Sequence, residues 1–300
     1  MQLALADGGI ETDLIFHHDQ TLPEFSAFVL LDDDAGRAAL RRYYVPYLQL
    51  ASEAALPLVL ETPTWRASED WLRLLGRPAQ DVIRVNTDAV RFVDEVRREI
   101  APDADVTVSG CVGPRADGDP GPGAMTPDEA RDYHGPQIDA LAAAGVGRVA
   151  ALTISYVAEA IGIVLAGRDA GVPTVLSFTV ETTGELPDGT ALGEGIRQVD
   201  VATAQAADSF MVNCAHPDHI TRALSTGGDW TRRISGVRAN ASTRSHAEMD
   251  QAVDLDEGDP SAFAEALLGL RAQLPSMHVL GGCCGTDVRH IAAIARAAGA

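Results

Sequence analysis

Short apolar runs alternate with longer amphipathic stretches along the whole chain, and eight such pairs leave few folds open. The runs at 3–6, 56–60, 106–111, 149–154, 174–180, 209–212, 234–237 and 278–280 have strand length and composition. The stretches at 35–54, 69–75 with 79–100, 127–144, 157–170, 194–207, 217–224, 261–274 and 288–298 have helical spacing. The helix at 127–144 is announced by Thr126 as N-cap, then Pro127, Asp128 and Glu129. Strict β-then-α order demands a parallel sheet, and eight units close one on itself. The predicted fold class is therefore α/β, a single (β/α)8 TIM barrel with residues 1–300 as one domain.

In such a barrel the segments after each strand gather at one rim, where active sites of this fold are built. Here those segments are unusually polar. Asp7 and Gly8 follow the first strand, and Glu61, Thr62 and Trp65 the second. Thr153 closes the fourth, Glu181 the fifth, Asn213-Cys214 the sixth and Asn240 the seventh. The eighth ends in Gly281-Gly282-Cys283-Cys284-Gly285-Thr286. Two connections, 113–125 and 184–195, are rich in Gly, Pro and Asp and read as surface loops or closing lids.

Adjacent cysteines do not easily bridge each other, because their Cα atoms lie about 3.8 Å apart, short of the ordinary disulfide range. Both Cys283 and Cys284 can face one ion if the chain turns, and the flanking glycines allow a turn. Cys214 arrives from another strand end. The pattern is a three-thiolate zinc site with one open position, a catalytic arrangement and not a closed structural one. Cys111 reads as a buried barrel cysteine, and His216 and His219 as residues at a helix start. Trp65 and Tyr156 could face a cation through their rings, or simply pack. Arg115 suits a carboxylate or solvent, and Asp32-Asp33-Asp34 a helix cap.

Composition narrows the chemistry. The 43 acidic residues against 23 basic give a net charge of −20, which argues against a nucleic-acid partner. Every one of the 23 basic residues is arginine, so Schiff-base and P-loop lysine chemistry are excluded. An acidic field suits solubility and also attracts a cationic substrate. The four cysteines show no disulfide framework, and the start lacks a basic-then-apolar leader, which fits a reducing cytoplasm with no membrane association.

With those residues in view, the chain resembles the zinc-dependent homocysteine S-methyltransferases almost end to end, from Asp7 to Ile294. The resemblance rests on Asp7-Gly8-Gly9-Ile10-Glu11-Thr12, the Thr62–Ser68 segment, Gly113-Pro114, Asn213-Cys214 and the terminal glycine–cysteine run. It implies a barrel, Zn2+ on Cys214, Cys283 and Cys284, and methyl transfer from an onium donor to a thiol, with homocysteine giving methionine. It also implies that Asp7 and Gly8 lie beside the thiol amino acid. One departure stands out. Leu152 occupies the strand-four position where the family carries a Glu that holds the substrate's amino group. A leucine cannot balance an ammonium, so Glu181 or Glu61 would have to replace it, or the acceptor is a thiol other than homocysteine.

A zinc with three thiolates carries a formal charge of −1 and is a weak Lewis acid, but a coordinating thiol is still deprotonated outright. That suits nucleophilic sulfur better than water activation. A metallohydrolase with water at the open position is the alternative, and no H-E-x-x-H motif accompanies it. The expected substrate contacts are Asp7, Gly8, Glu61, Thr62, Trp65, Thr153, Glu181, Asn213 and Asn240, and the expected partners are small molecules.

Overall fold

A computed structural model describes residues 2–116 and 123–300 of the chain. Eight parallel strands form a closed barrel in sequence order. They are β1 (Ala4–Ala6), β2 (Leu58–Glu61), β3 (Val106–Val112), β4 (Arg148–Ile154), β5 (Thr174–Phe178), β6 (Ser209–Asn213), β7 (Ile234–Ala239) and β8 (Val279–Gly282). The helices are α1 (Ile10–Phe16), α2 (Asp34–Ala54), α3 (Glu69–Leu74), α4 (Asp81–Ile100), α5 (Pro127–Ala143), α6 (Val157–Ala170), α7 (Leu192–Thr203), α8 (Pro217–Ala223), α9 (His246–Asp250), α10 (Pro260–Gly269) and α11 (Val288–Ala297). The expected TIM barrel is present. No helix among the described residues is long and apolar enough to cross a membrane.

Strand alternation sorts the side chains into two environments. Leu5, Leu58, Leu60, Val149, Leu176, Phe178, Val212, Val237 and Leu280 face outward into the large core shared with the helices. Ala4, Ala6, Val59, Val175, Met211 and Val279 face inward and fill the barrel as a separate apolar cluster. Glu61, Ser109 and Arg148 stand in one row of the sheet, because the register pairs Glu61 with Ser109 and Ser109 with Arg148.

Local chemistry fixes the helix starts. Thr126 and Glu129 form a reciprocal capping box ahead of α5, and Asp33 caps α2 through the Gly36 N–H. On α2, Tyr43, Tyr44 and Tyr47 form one buried face. The Tyr43 hydroxyl donates to the Gly8 carbonyl at 3.0 Å and that of Tyr44 to the Glu61 carbonyl at 2.9 Å. These bonds pin the ends of β1 and β2 where the rim begins.

Of the two lid candidates, 113–125 includes residues 117–122, which lie outside the described residues. The other is an ordered turn: Glu185 bridges Ala191, Leu186 is buried, and its N–H reaches the Thr190 carbonyl at 2.9 Å.

Candidate metal centre and active site

Cys214, Cys283 and Cys284 converge at the C-terminal mouth, with their sulfurs all within 4.8 Å of one another. Cys214 Sγ lies 3.8 Å from Cys284 Sγ. Zinc–sulfur bonds of about 2.3 Å in a tetrahedron put two sulfurs about 3.8 Å apart, so the donor set fits a thiolate-bound metal in both chemistry and spacing. The Cys283 thiol is held well below its usual range by hydrogen bonds from Cys214 and Cys284. The same contacts, with burial, push Cys214 and Cys284 up.

The turn that brings the sulfurs together is built by close approach more than by loose backbone. Of the three glycines in the run, Gly285 has positive φ, at +77°. Gly281 and Gly282 are needed for space: a Cβ on Gly281 would lie 2.7 Å from that of Ala6, and one on Gly282 would strike the Thr286 side chain. This corrects the expectation that all three supply conformational freedom. The β1 end packs against the same turn. Gly9 N–H donates to the Thr286 carbonyl at 3.0 Å, Gly285 N–H to Thr12 Oγ1 at 3.2 Å, and Gly282 N–H to the Asp7 carbonyl at 3.0 Å.

Two non-glycine residues hold left-handed backbone here, Thr153 at φ +64° and Cys214 at φ +56°. Each such conformation costs about 1–3 kcal/mol and needs its surroundings to impose it. For Thr153 the imposing group is Asn213, whose Oδ1 accepts from the Thr153 N–H and whose Nδ2 donates to its Oγ1, both at 2.8 Å. Ser177 also donates to Asn213 Oδ1, at 2.6 Å. The Cys214 carbonyl accepts from His246 Nε2 at 2.6 Å. Side-chain amides approach the sulfurs: Asn240 Nδ2 is 3.7 Å from Cys214 Sγ, and Asn213 Nδ2 is 3.9 Å from Cys283 Sγ.

Beneath the thiols lies a buried ionic cluster. Arg238 Nη2 donates to Asp7 Oδ1 at 2.6 Å, Glu61 Oε1 lies 3.5 Å from Arg148 and 4.0 Å from Arg238, and Arg148 Nε donates to Ser109 at 3.2 Å. Burial pushes both the Asp7 and Glu61 carboxyls up, against the pull of these guanidinium groups. Glu11, at the start of α1, is raised by burial to about 8. Arg148, Arg238 and Glu11 were not anticipated as site residues.

The other expected contacts take specific places. Gly8 has no room for a side chain, since a Cβ would lie 2.6 Å from the Tyr47 hydroxyl. Thr62 Oγ1 sits 2.7 Å from Thr64 Oγ1 and accepts the Cys111 N–H at 3.0 Å. Trp65 Nε1 donates to the Leu152 carbonyl at 3.2 Å, and the Arg66 guanidinium lies 5.0 Å from the Trp65 ring. Tyr156 accepts from the Met125 N–H. Glu181 Oε1 faces His246 Nδ1 at 3.2 Å. Leu152 packs with Cys111, Ala150 and Trp65 as an apolar wall. Arg115 pairs with Asp70 at 2.7 Å, and His216 caps α8. A second group with metal-like spacing, Asp13, His17 and Asp287, is internally engaged: Asp13 meets His17 at 2.7 Å, and Asp287 caps α11 and pairs with Arg289.

A closed parallel barrel with three convergent thiols at its mouth defines a class, TIM barrels whose C-terminal rim carries a thiol cluster able to hold a metal. The sequence matches the family model for homocysteine S-methyltransferase over residues 4–298. The chain belongs to the homocysteine S-methyltransferase family and is an S-methyltransferase. It is 24% identical to homocysteine S-methyltransferase 4 of Zea mays, across 98% of this chain and 89% of that protein. Its fold is shared with the homocysteine methyltransferase MmuM of Escherichia coli. The metallated form superposes with a TM-score of 0.78 at 19% identity, covering 99% of this chain and 96% of that one. The oxidized form gives 0.77 at 21% identity, with the same coverage.

Proposed function

We propose that the enzyme moves a methyl group from a cationic onium donor to the sulfur of homocysteine, with zinc held by Cys214, Cys283 and Cys284. The observation that carries this reading is the three-thiol cluster, whose 3.8 Å sulfur separation suits a tetrahedral zinc. Zinc bound there would supply a centre that takes up the acceptor thiol as thiolate at neutral pH, where a free thiol is only a few per cent ionised.

The chain's own residues do the rest. Asn240 and Asn213 point amide donors at Cys214 and Cys283 and so disperse charge on those sulfurs. Asn213 also locks Thr153, which fixes the β4 end against the β6 end. The buried Arg238 beside Asp7 and Glu61 neutralises the floor under the site. In the transfer, a sulfur lone pair forms the new S–C bond while the bond from methyl to the donor's onium atom breaks. That pair stays on the donor, which leaves neutral. The cationic donor and the acidic protein attract each other, and proximity supplies much of the rate. The family to which the chain belongs lends the hydrolytic alternative no support.

The test is direct. Zinc-loaded enzyme is incubated with homocysteine and, separately, S-methylmethionine, S-adenosylmethionine or glycine betaine, and methionine is followed by mass spectrometry. Methionine from at least one donor is expected, at a rate that tracks zinc content. No methionine from any of them would refute the reading.

A further inference from the structure

Strand alternation sends consecutive side chains to opposite faces of a sheet, yet Asn213 and Cys214 both reach the Cys283–Cys284 pair. Asn213 Nδ2 is 3.9 Å from Cys283 Sγ, and Cys214 Sγ is 3.8 Å from Cys284 Sγ. The chain achieves this by leaving extended backbone at Cys214, where φ is +56°. Cysteine carries a Cβ, so that conformation is disfavoured and persists only where neighbouring groups impose it.

The imposing contacts fall on the Cys214 backbone. Its N–H donates to the Arg238 carbonyl at 3.1 Å, which ties it to β7. Its carbonyl is held by a separate group: His246 Nε2 lies 2.6 Å away and Thr179 Oγ1 3.4 Å. A carbonyl only accepts, so Nε2 carries the hydrogen. The imidazole is braced from its other side by Glu181 Oε1, 3.2 Å from Nδ1. His246 opens α9, whose start is fixed by a capping box between Ser245 and Glu248. The end of β5, the end of β6 and the segment after β7 therefore meet at one carbonyl. Met249, a turn further along α9, has its sulfur 3.7 Å from Asn240 Nδ2, the amide that lies 3.7 Å from Cys214 Sγ. The helix thus bears on Cys214 at its carbonyl and, through Asn240, at its sulfur.

We propose that His246, braced by Glu181, is a positioning residue that holds Cys214 in its left-handed turn and so keeps the Cys214 sulfur on the metal. Without the clamp the backbone at Cys214 is free to relax toward extended geometry, which carries the sulfur away from Cys283 and Cys284. Glu181 then serves the metal site by orienting the imidazole, and not the substrate's ammonium. The inference rests on the reading of zinc at the three thiols.

The test measures zinc affinity, by competition with a chromogenic chelator, in full-length wild type, His246→Leu, His246→Gln and Glu181→Ala. Co2+ exchanged into each protein gives visible bands that report the geometry of the thiolate set. His246→Leu is expected to weaken zinc binding by roughly 10- to 100-fold and to shift the Co2+ bands, as loss of a group that orients a metal ligand does. His246→Gln keeps an N–H donor for the carbonyl and should recover most of both. Glu181→Ala should weaken zinc by less, while the homocysteine KM at saturating zinc stays within about twofold of wild type. Wild-type affinity and bands in His246→Leu, or a His246→Gln as weak as His246→Leu, would overturn the clamp. So would unchanged zinc affinity in Glu181→Ala, which decides alone if His246→Leu does not fold. A raised homocysteine KM alongside that result would return the carboxylate to the substrate. Wild type that binds neither zinc nor cobalt refutes the thiol-metal reading itself, and the clamp with it.

Discussion

Replacing Arg238 by Met removes a guanidinium whose side chain is 5% exposed from a carboxylate that is 2% exposed. Methionine nearly fills the space, so the change is chiefly one of charge. Asp7 loses its 2.6 Å partner, and Glu61 keeps Arg148 alone, at 3.5 Å. Removing one member of a buried pair costs about 3–5 kcal/mol, because the other charge is left uncompensated. That is roughly two to four powers of ten in the folding equilibrium. The loss should depend on pH, and its sign follows from the direction of the shifts. Burial already raises Asp7 and Glu61 in the wild type, and losing Arg238 raises them further. A carboxyl whose folded pKa is raised binds more protons folded than unfolded, so stability falls as pH climbs from the unfolded value toward the folded one. The deficit of Arg238→Met is thus smallest near pH 5 and largest near pH 8. Urea unfolding followed by tryptophan fluorescence and circular dichroism at both values measures it. The double variant Asp7→Asn/Arg238→Met should recover part of the loss, since the orphaned carboxylate is gone. A deficit below about 1 kcal/mol, or one identical at the two pH values, would refute the argument.

Alanine at Cys214, Cys283 or Cys284 should reduce bound zinc to well below one per chain by elemental analysis, whereas Cys111→Ala, which alters a buried cysteine with no sulfur in the cluster, should keep it. Leu152→Glu sets a carboxylate against Cys111, Ala150 and Trp65, and should cost about 1–3 kcal/mol in urea without lowering the homocysteine KM. A lower KM would show that the acceptor's ammonium sits on the β4 side. Gly9→Ala drives a methyl into the Cys283 carbonyl and should displace the thiol turn, read as weakened zinc retention against a chelator. Wild-type retention in that variant would show the turn to be adaptable.

The barrel was legible in the sequence because its signal is repeated and local: the helix at 157–170 was placed to the residue, and α2 to within one. The thiols were legible because three cysteines next to glycine and asparagine have few other uses. The short helix α1 was missed, having seven residues and a Gly9 N-cap with no side-chain acceptor. The left-handed Thr153 and Cys214 were equally hidden, since the restraint on Thr153 comes from Asn213, sixty residues along the chain. The most instructive errors fall at strand boundaries. The second strand was ended at 60, the fourth begun at 149 and the seventh ended at 237, in each case one residue short of a charge. The structure extends them to Glu61, Arg148 and Ala239, the last taking in Arg238. A charged residue in a buried strand looks like a terminus when each run is read alone, because an isolated interior charge is prohibitively costly. These charges are not isolated. Glu61 meets both arginines, and Arg238 reaches Asp7 from the far end of the chain. Closure of the barrel brings β1, β2, β4 and β7 to the same interior and supplies the partners that local reading lacks.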